Sequence, residues 1–269
     1  MHYYDSSTKT EEEVAIEHSV WDDQAKASKV HAAISATPEN EYAKSKYQID
    51  FLKKKITNDA IVLDLGCGYG RIAKYLSKEK AITKYIGVDS SIEMLSLFKE
   101  RYERNNEPYN LELYYLDITK IPLEDSSVDY VLVSAVFLHN PKNITQKSVD
   151  EVFRVLKKGG EIIVFSSFPR LFGNNFINAL VSRLYYFFTF KWNKNGPVRY
   201  FRRKEIESMF CAFTEVEIVP FGNRLFPKGF VFLPNSICRR YRSLIGDPLS
   251  SFFAKYTTVP THFDVIGKK

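Results

Sequence analysis

The sequence predicts an α/β fold, a mostly parallel sheet with helices on both faces, and three observations predict it. Short runs of Val, Ile, Leu and Tyr recur from residue 61 onward, and amphipathic stretches of roughly ten residues separate them, the signature of βαβ units. The runs are apolar almost throughout rather than alternating, as in strands covered on both sides. Glycines or polar residues follow directly after each run, where a parallel sheet places its ligands.

Glu11 to Lys55 reads as two helices. The second, about Glu39 to Ile56, opens at Thr37-Pro38, because proline's fixed φ and missing N–H suit a first helical turn. Strands are predicted at Ile61–Leu65, Tyr85–Val88, Leu111–Leu116, Tyr130–Ser134 and Glu161–Phe165. Helices are predicted at Arg71–Lys78, Ile92–Arg104 and Ser148–Leu156, with another near Arg203–Phe210. Right-handed crossovers would bring the ends of these strands to one edge.

The 269 residues, 45% hydrophobic and 26% charged, fit a globular chain and exclude disorder, collagen-like repeats and coiled coil. Cys67, Cys211 and Cys238 are too scattered for a disulfide framework or a zinc site. No His/Asp/Glu cluster has ligand spacing, so no metal is expected. The N-terminus lacks a basic-then-apolar signal segment. The most apolar run, Phe176 to Phe190, is broken by Arg183 and is shorter than the roughly 20 residues of a spanning helix. A cytoplasmic protein is expected, with peripheral membrane contact kept open. From Arg170 onward there are 16 Lys+Arg against 6 Asp+Glu, so an anionic partner should meet the C-terminal third.

After the first strand stands Asp64-Leu65-Gly66-Cys67-Gly68-Tyr69-Gly70-Arg71. A dinucleotide loop needs a glycine where Arg71 stands, and no Gly-Lys-Ser/Thr follows for a phosphate-cradling loop. G-x-G-x-G preceded by an acid suits a ligand with a carboxylate, a cationic centre and a nucleoside but no phosphates. Asp64 is placed to receive an ammonium, directly or through water, and the loop N–H groups a carboxylate. Asp89, after the second strand, can accept from two ribose hydroxyls. Asp117, after the third, can accept from an adenine amine, with Met94 and Ile118 as apolar faces. Plainer roles stand beside these: strand-end caps for Asp89 and Asp117, helix core for Met94, packing for Cys67. Arg71 is a solvated charge or a carboxylate partner, the former favoured.

These residues resemble the class I S-adenosylmethionine-dependent methyltransferases. VLDLGCGYGR matches the first motif, GVDSS the second-strand acid, YLDITKIPLEDSSVDYVLVSAVFLHN the third- and fourth-strand region, and EVFRVLKKGGEIIVFS the closing helix, Gly-Gly turn and strand. The nearest branch is the small-molecule group similar to the ubiquinone/menaquinone C-methylating enzymes. The resemblance implies a Rossmann-like seven-stranded sheet, with Glu215–Pro220 as sixth strand and Thr261–Lys269 as an antiparallel seventh. It implies S-adenosyl-L-methionine as cofactor, bound by Asp64, Gly66, Cys67, Gly68, Gly70, Asp89, Ser90, Met94, Asp117, Ile118, Ser134 and Ala135. Positioning the acceptor is then the main task. His139, just beyond the fourth strand, is the candidate general base, or else a hydrogen-bonded loop histidine ahead of Pro141.

One domain is expected over 1–269: N-terminal helices to 57, a cofactor-binding core over 58–168, aromatic and basic insertions at 169–200 and 222–259, and a final strand at 261–269. The insertions read as an aromatic helical lid over a small or lipid-like acceptor. Two other readings are an interfacial anchor on an anionic membrane, centred on Phe176 to Trp192, and an RNA-binding surface. The last would use Arg202-Arg203-Lys204 and Arg239-Arg240-Tyr241-Arg242. RNA methylation, or service as a non-catalytic cofactor-binding partner subunit, are the alternative functions.

Overall fold

The computed structural model describes residues 38–169, 198–221 and 262–269. Its elements are α1 (Pro38–Lys55), β1 (Ala60–Leu65), α2 (Arg71–Leu76), β2 (Ile82–Asp89), α3 (Ile92–Asn105), β3 (Asn110–Tyr115), β4 (Val128–Ser134) and a 3-10 turn (Phe137–His139). Then come α4 (Lys142–Val155), β5 (Leu156–Pro169), α5 (Arg203–Met209), β6 (Glu215–Phe221) and β7 (His262–Lys268). The first predicted helix, the run Phe176 to Trp192 and the cluster Arg239–Arg242 lie outside the described residues.

The seven strands form one sheet in the order β3-β2-β1-β4-β5-β7-β6. β1 to β5 pair in parallel, and β7 runs antiparallel between β5 and β6. Strand alternation sends apolar side chains to both faces. Leu63, Leu65, Val131, Val133 and Val164 pack with α4 and α5, while Val62, Tyr85, Leu132 and Phe165 pack with α1, α2 and α3. Burying such a side chain contributes about 1.5–3 kcal/mol, so the two layers fix the sheet and hence the geometry of its edge.

Two element starts differ most from the sequence reading. α4 starts at Lys142 rather than Ser148, capped by Pro141, because its polar first turns carry no apolar periodicity. β5 starts at Leu156, and the expected Gly-Gly turn is an irregularity inside it. Gly159 holds φ +80 there, and a Cβ on Gly160 would meet the Asp129 carbonyl at 2.8 Å.

Both insertions are rooted at the carboxyl edge. Pro169 and Phe221 each pair with His262, so the described residues that flank both insertions lie at the carboxyl end of β5. Phe201 donates its N–H to the Pro169 carbonyl at 3.0 Å, closing the first of them.

Candidate active site

The glycine loop joins β1 to α2, and its three glycines are required for different reasons. All have positive φ, at +68, +52 and +73 for Gly66, Gly68 and Gly70. A Cβ on Gly66 would lie 2.3 Å from Val136, and one on Gly70 2.4 Å from Phe98. A Cβ on Gly68 would meet nothing within 4 Å. Two glycines thus let protein pack against the loop, and the middle one faces open space. The N–H groups of Gly66 and Cys67 both reach the Val88 carbonyl, and that of Gly70 the Cys67 carbonyl. Those donors are committed within the protein.

Each acid has a defined place. The two Asp89 oxygens accept from Gly68 N–H at 2.8 Å and Ser91 N–H at 2.9 Å, which ties the loop to the end of β2. The group is half-buried. Asp117 Oδ1 caps Thr119 N–H at 2.8 Å. Asp64 is only 2% exposed and accepts from the Tyr85 hydroxyl at 2.7 Å. Burial raises its carboxyl to about 7, with Tyr85 and the Arg71 charge pulling the other way. Asp64 thus lies beneath the loop, against the Tyr85 hydroxyl. Met94 and Ile118 are buried, as is Cys67, whose thiol burial pushes up. Ser90, after β2, is half-buried.

Arg71 is not the solvated charge favoured on sequence grounds. Half-buried, it donates to Ser45 at 2.8 Å and to Ser134 at 3.1 Å, joining α1 to the end of β4. Gln48 Nε2 also donates to Ser134 at 3.1 Å. Gln48 is 7% exposed, and its Oε1 has no hydrogen-bond partner among the described residues. Across the loop, Arg101 of α3 donates to the Tyr69 carbonyl at 3.1 Å and to that of Gly70. Glu107, 3.4 Å away, holds the guanidinium there, and Phe98 stacks on it at 4.8 Å.

Beyond β4 the chain turns sharply. Ala135 adopts φ +59, a left-handed conformation that costs a non-glycine residue about 1–2 kcal/mol. Its N–H reaches the Phe165 carbonyl at 2.9 Å, and Val136 N–H reaches Ser167 Oγ at 3.1 Å. His139 ends the 3-10 turn, where its carbonyl accepts from the Arg199 guanidinium at 2.5 Å. Such strain, held by surrounding bonds, accompanies functional edges.

Residues 62–160 match a family described as a methyltransferase domain. Residues 62–160 carry a class I S-adenosylmethionine-dependent methyltransferase domain. The chain is 29% identical over 170 residues to a demethylmenaquinone methyltransferase of Oceanobacillus iheyensis, covering 58% of this chain and 70% of that protein. It is 32% identical over 109 residues to a phosphatidylethanolamine N-methyltransferase of Cereibacter sphaeroides, covering 40% and 51%. The chain spans about half the length of that relative and of other quinone methyltransferases it matches. A solved methyltransferase from Archaeoglobus fulgidus shares its fold, with TM-score 0.58 at 16% identity over 89% of this chain and 97% of the other. So does the [4+2]-cyclase SpnF, with TM-score 0.51 at 15% identity over 82% and 78%. These structural likenesses show the fold alone. Family membership implies S-adenosylmethionine as the methyl donor. Among the described residues no helix is long and apolar enough to cross a membrane.

The sequence reading missed Ser45, Tyr47 and Gln48 on α1, Arg101 on α3, and Asp264 on β7. The α1 residues look like a solvated helix face until Ser134 and Arg71 are seen beneath them. Asp264 had a signal, a lone acid within an apolar strand. Of the two basic clusters, the first is described: Arg203 pairs with Glu207 at 2.8 Å, and Arg202 N–H bonds Glu205 at 2.7 Å.

Proposed function

We propose that this methyltransferase moves the methyl group of S-adenosylmethionine to a small or lipid-like acceptor carrying a dissociable proton. The observation carrying the cofactor assignment is the open space in front of Gly68, at φ +52, beside a carboxylate that already holds that residue's N–H. Asp89, at the end of β2, takes the ribose hydroxyls, with Ser90 alongside. Asp117, capped on Oδ1 alone, keeps Oδ2 for the adenine amine, and Met94 and Ile118 supply the apolar faces. The amino-acid end falls to α1, with Gln48 Oε1 for the ammonium and Arg71 for the carboxylate. Asp64 acts from beneath as a buried charge.

The bound cofactor supplies an activated methyl, so this chain's task is to place an acceptor in line with it and exclude water. Ser134, Ala135 and His139 border that position, at the edge where both insertions are rooted. The acceptor class follows from the relatives: one is named for demethylmenaquinone and another for phosphatidylethanolamine. Selection among such molecules belongs to segments 170–197 and 222–261.

Calorimetry with S-adenosylhomocysteine tests this reading. The wild type is expected to bind, and Asp89→Ala to bind more than tenfold more weakly, because bonds to a charged group are lost. Equal affinity in the two proteins removes the ribose assignment, and absence of binding to the wild type removes the cofactor assignment.

A further inference from the structure

Asp264, like Asp64, is a buried acid without an ion pair among the described residues. It stands in β7 between Phe263 and Val265, which face the core, so its side chain points to the opposite face, toward α1. Only 4% of the residue is exposed. Its partners are Ser166 N–H, 2.8 Å from Oδ1, and the Tyr47 hydroxyl of α1, 3.5 Å from Oδ2. No cation pairs with it among the described residues. Desolvating a carboxylate without a cation costs several kcal/mol unless the group is protonated or a ligand compensates it.

The backbone is shaped around this side chain. Val164 pairs with Val265 and Phe168 with Phe263, so Phe165, Ser166 and Ser167 bulge opposite Asp264 alone. Ser166 holds φ +51, and that left-handed turn aims its N–H at the carboxylate. The same bulge anchors the strained end of β4, through the Phe165 carbonyl to Ala135 N–H and Ser167 Oγ to Val136 N–H. Bulges of this kind gather beside active sites, where they re-aim a side chain. Two strand spacings separate β4 from β7, so Asp264 lies roughly 10 Å from the end of β4, away from the glycine loop. A buried acid so placed stands beside the end of β4, to whose Ala135 and Val136 the bulge is bonded.

Resting on the methyl-transfer reading above, we propose that Asp264, with Tyr47 as its hydrogen-bonding companion, is the group that takes the acceptor's proton. An acceptor hydroxyl or ammonium gives its proton to the Asp264 carboxylate. The electron pair so freed, on the heteroatom or conjugated onto a ring carbon, forms the bond to the methyl carbon. The carbon–sulfur pair withdraws onto sulfur, leaving a neutral thioether, and the proton passes from Asp264 to water at product release. For ring-carbon attack, the displaced ring proton restores the hydroxyl. Burial lifts the Asp264 carboxyl to about 6, which brings its basicity closer to that of such an acceptor. The titratable groups beside it are Tyr47, whose phenol is raised, and His262, two residues along β7, which burial lowers.

Asp264→Asn keeps an oxygen for the Ser166 N–H and removes only the charge. Three readouts on the full chain decide the matter. Affinity for S-adenosylhomocysteine by calorimetry is expected to stay within about twofold of wild type. The melting temperature at pH 8 should be no lower, since an unpaired buried charge has gone. Turnover of reduced demethylmenaquinone, or of phosphatidylethanolamine vesicles, should fall by about 100-fold, the size of a lost proton acceptor. The two acceptors distinguish a hydroxyl from an ammonium source. Wild-type kcat/KM should rise with pH through about 6, and the variant should lack that limb. Tyr47→Phe should retain the limb with lower turnover. Wild-type turnover in Asp264→Asn overturns the proposal, as does joint loss of S-adenosylhomocysteine affinity and stability, or loss of the limb in His139→Ala instead. If the wild type binds S-adenosylhomocysteine but methylates neither acceptor, the proton role falls while the cofactor assignment stands. If it binds none, the parent reading fails by itself.

Discussion

At the scale of single residues, the glycine loop separates what folding demands from what a ligand demands. Gly66→Ala adds a left-handed alanine and drives its Cβ to 2.3 Å from Val136, so it should destabilise the protein by about 2–4 kcal/mol. Gly68→Ala has equal backbone strain but no neighbour within 4 Å, and should cost only about 1 kcal/mol. Affinity should order the pair the other way. The Gly68 methyl enters the space assigned to the cofactor, and S-adenosylhomocysteine binding should fall at least tenfold. Denaturant melts and calorimetry on both variants test this, and equal stability costs would contradict the steric account. The loop and the acids after β1, β2 and β3 were legible in the sequence because strand ends announce them. Their present partners were not, since capping of Gly68 by Asp89 and of Thr119 by Asp117 depends on loop backbone that no residue pattern reveals.

At the scale of elements, α1 extends the site beyond what sequence motifs marked. Its existence was legible from Pro38 and its periodicity, but the use of its inner face was not. Ser45, Tyr47 and Gln48 look like a polar helix surface, yet they meet Ser134, Arg71 and Asp264 from separate parts of the chain. Gln48 gives the sharpest test. Its Oε1 is buried without a partner, a cost of about 1–3 kcal/mol to the fold. Gln48→Leu should therefore leave stability unchanged or raise it, while weakening S-adenosylhomocysteine binding about fivefold through loss of an ammonium contact. A purely structural glutamine would show the reverse, lower stability with unchanged affinity. Arg154 shows another element at work. Its guanidinium donates to the Ile121 and Leu123 carbonyls at 2.9 and 2.8 Å, so α4 holds the loop that carries Asp117. No sequence pattern joins residues 121 and 154. Only the packing of α4 beside β4 does.

At the scale of the whole molecule, two acids buried on the same face of the sheet set how stability responds to pH. Burial raises Asp64 to about 7 and Asp264 to about 6, both from an ordinary value of 3.8. Between those values the folded protein keeps protons that the unfolded chain has released, so rising pH favours unfolding. Their contribution is full below about pH 4 and is lost as pH climbs through 6 and then 7. Shifts of roughly three and two pKa units correspond to at most about 4 and 3 kcal/mol. Glu151 and Glu205 are shifted down and oppose the trend as pH falls through the carboxylate range, and His262, lowered by burial from its ordinary 6.5, opposes it in part just below that value. The wild type should therefore melt several degrees lower at pH 8 than at pH 5.5. Asp64→Asn should remove the larger part of that slope, and Asp64→Asn with Asp264→Asn the rest, leaving the weaker opposite slope of His262. A cationic cofactor reverses the sense. S-adenosylmethionine brings positive charge above an ionised Asp64, so its affinity should increase with pH through about 7 in the wild type and stay level in Asp64→Asn. S-adenosylhomocysteine, lacking the sulfonium, should show a shallower dependence. Equal pH profiles for the two compounds would mean that the buried charge acts on the fold alone.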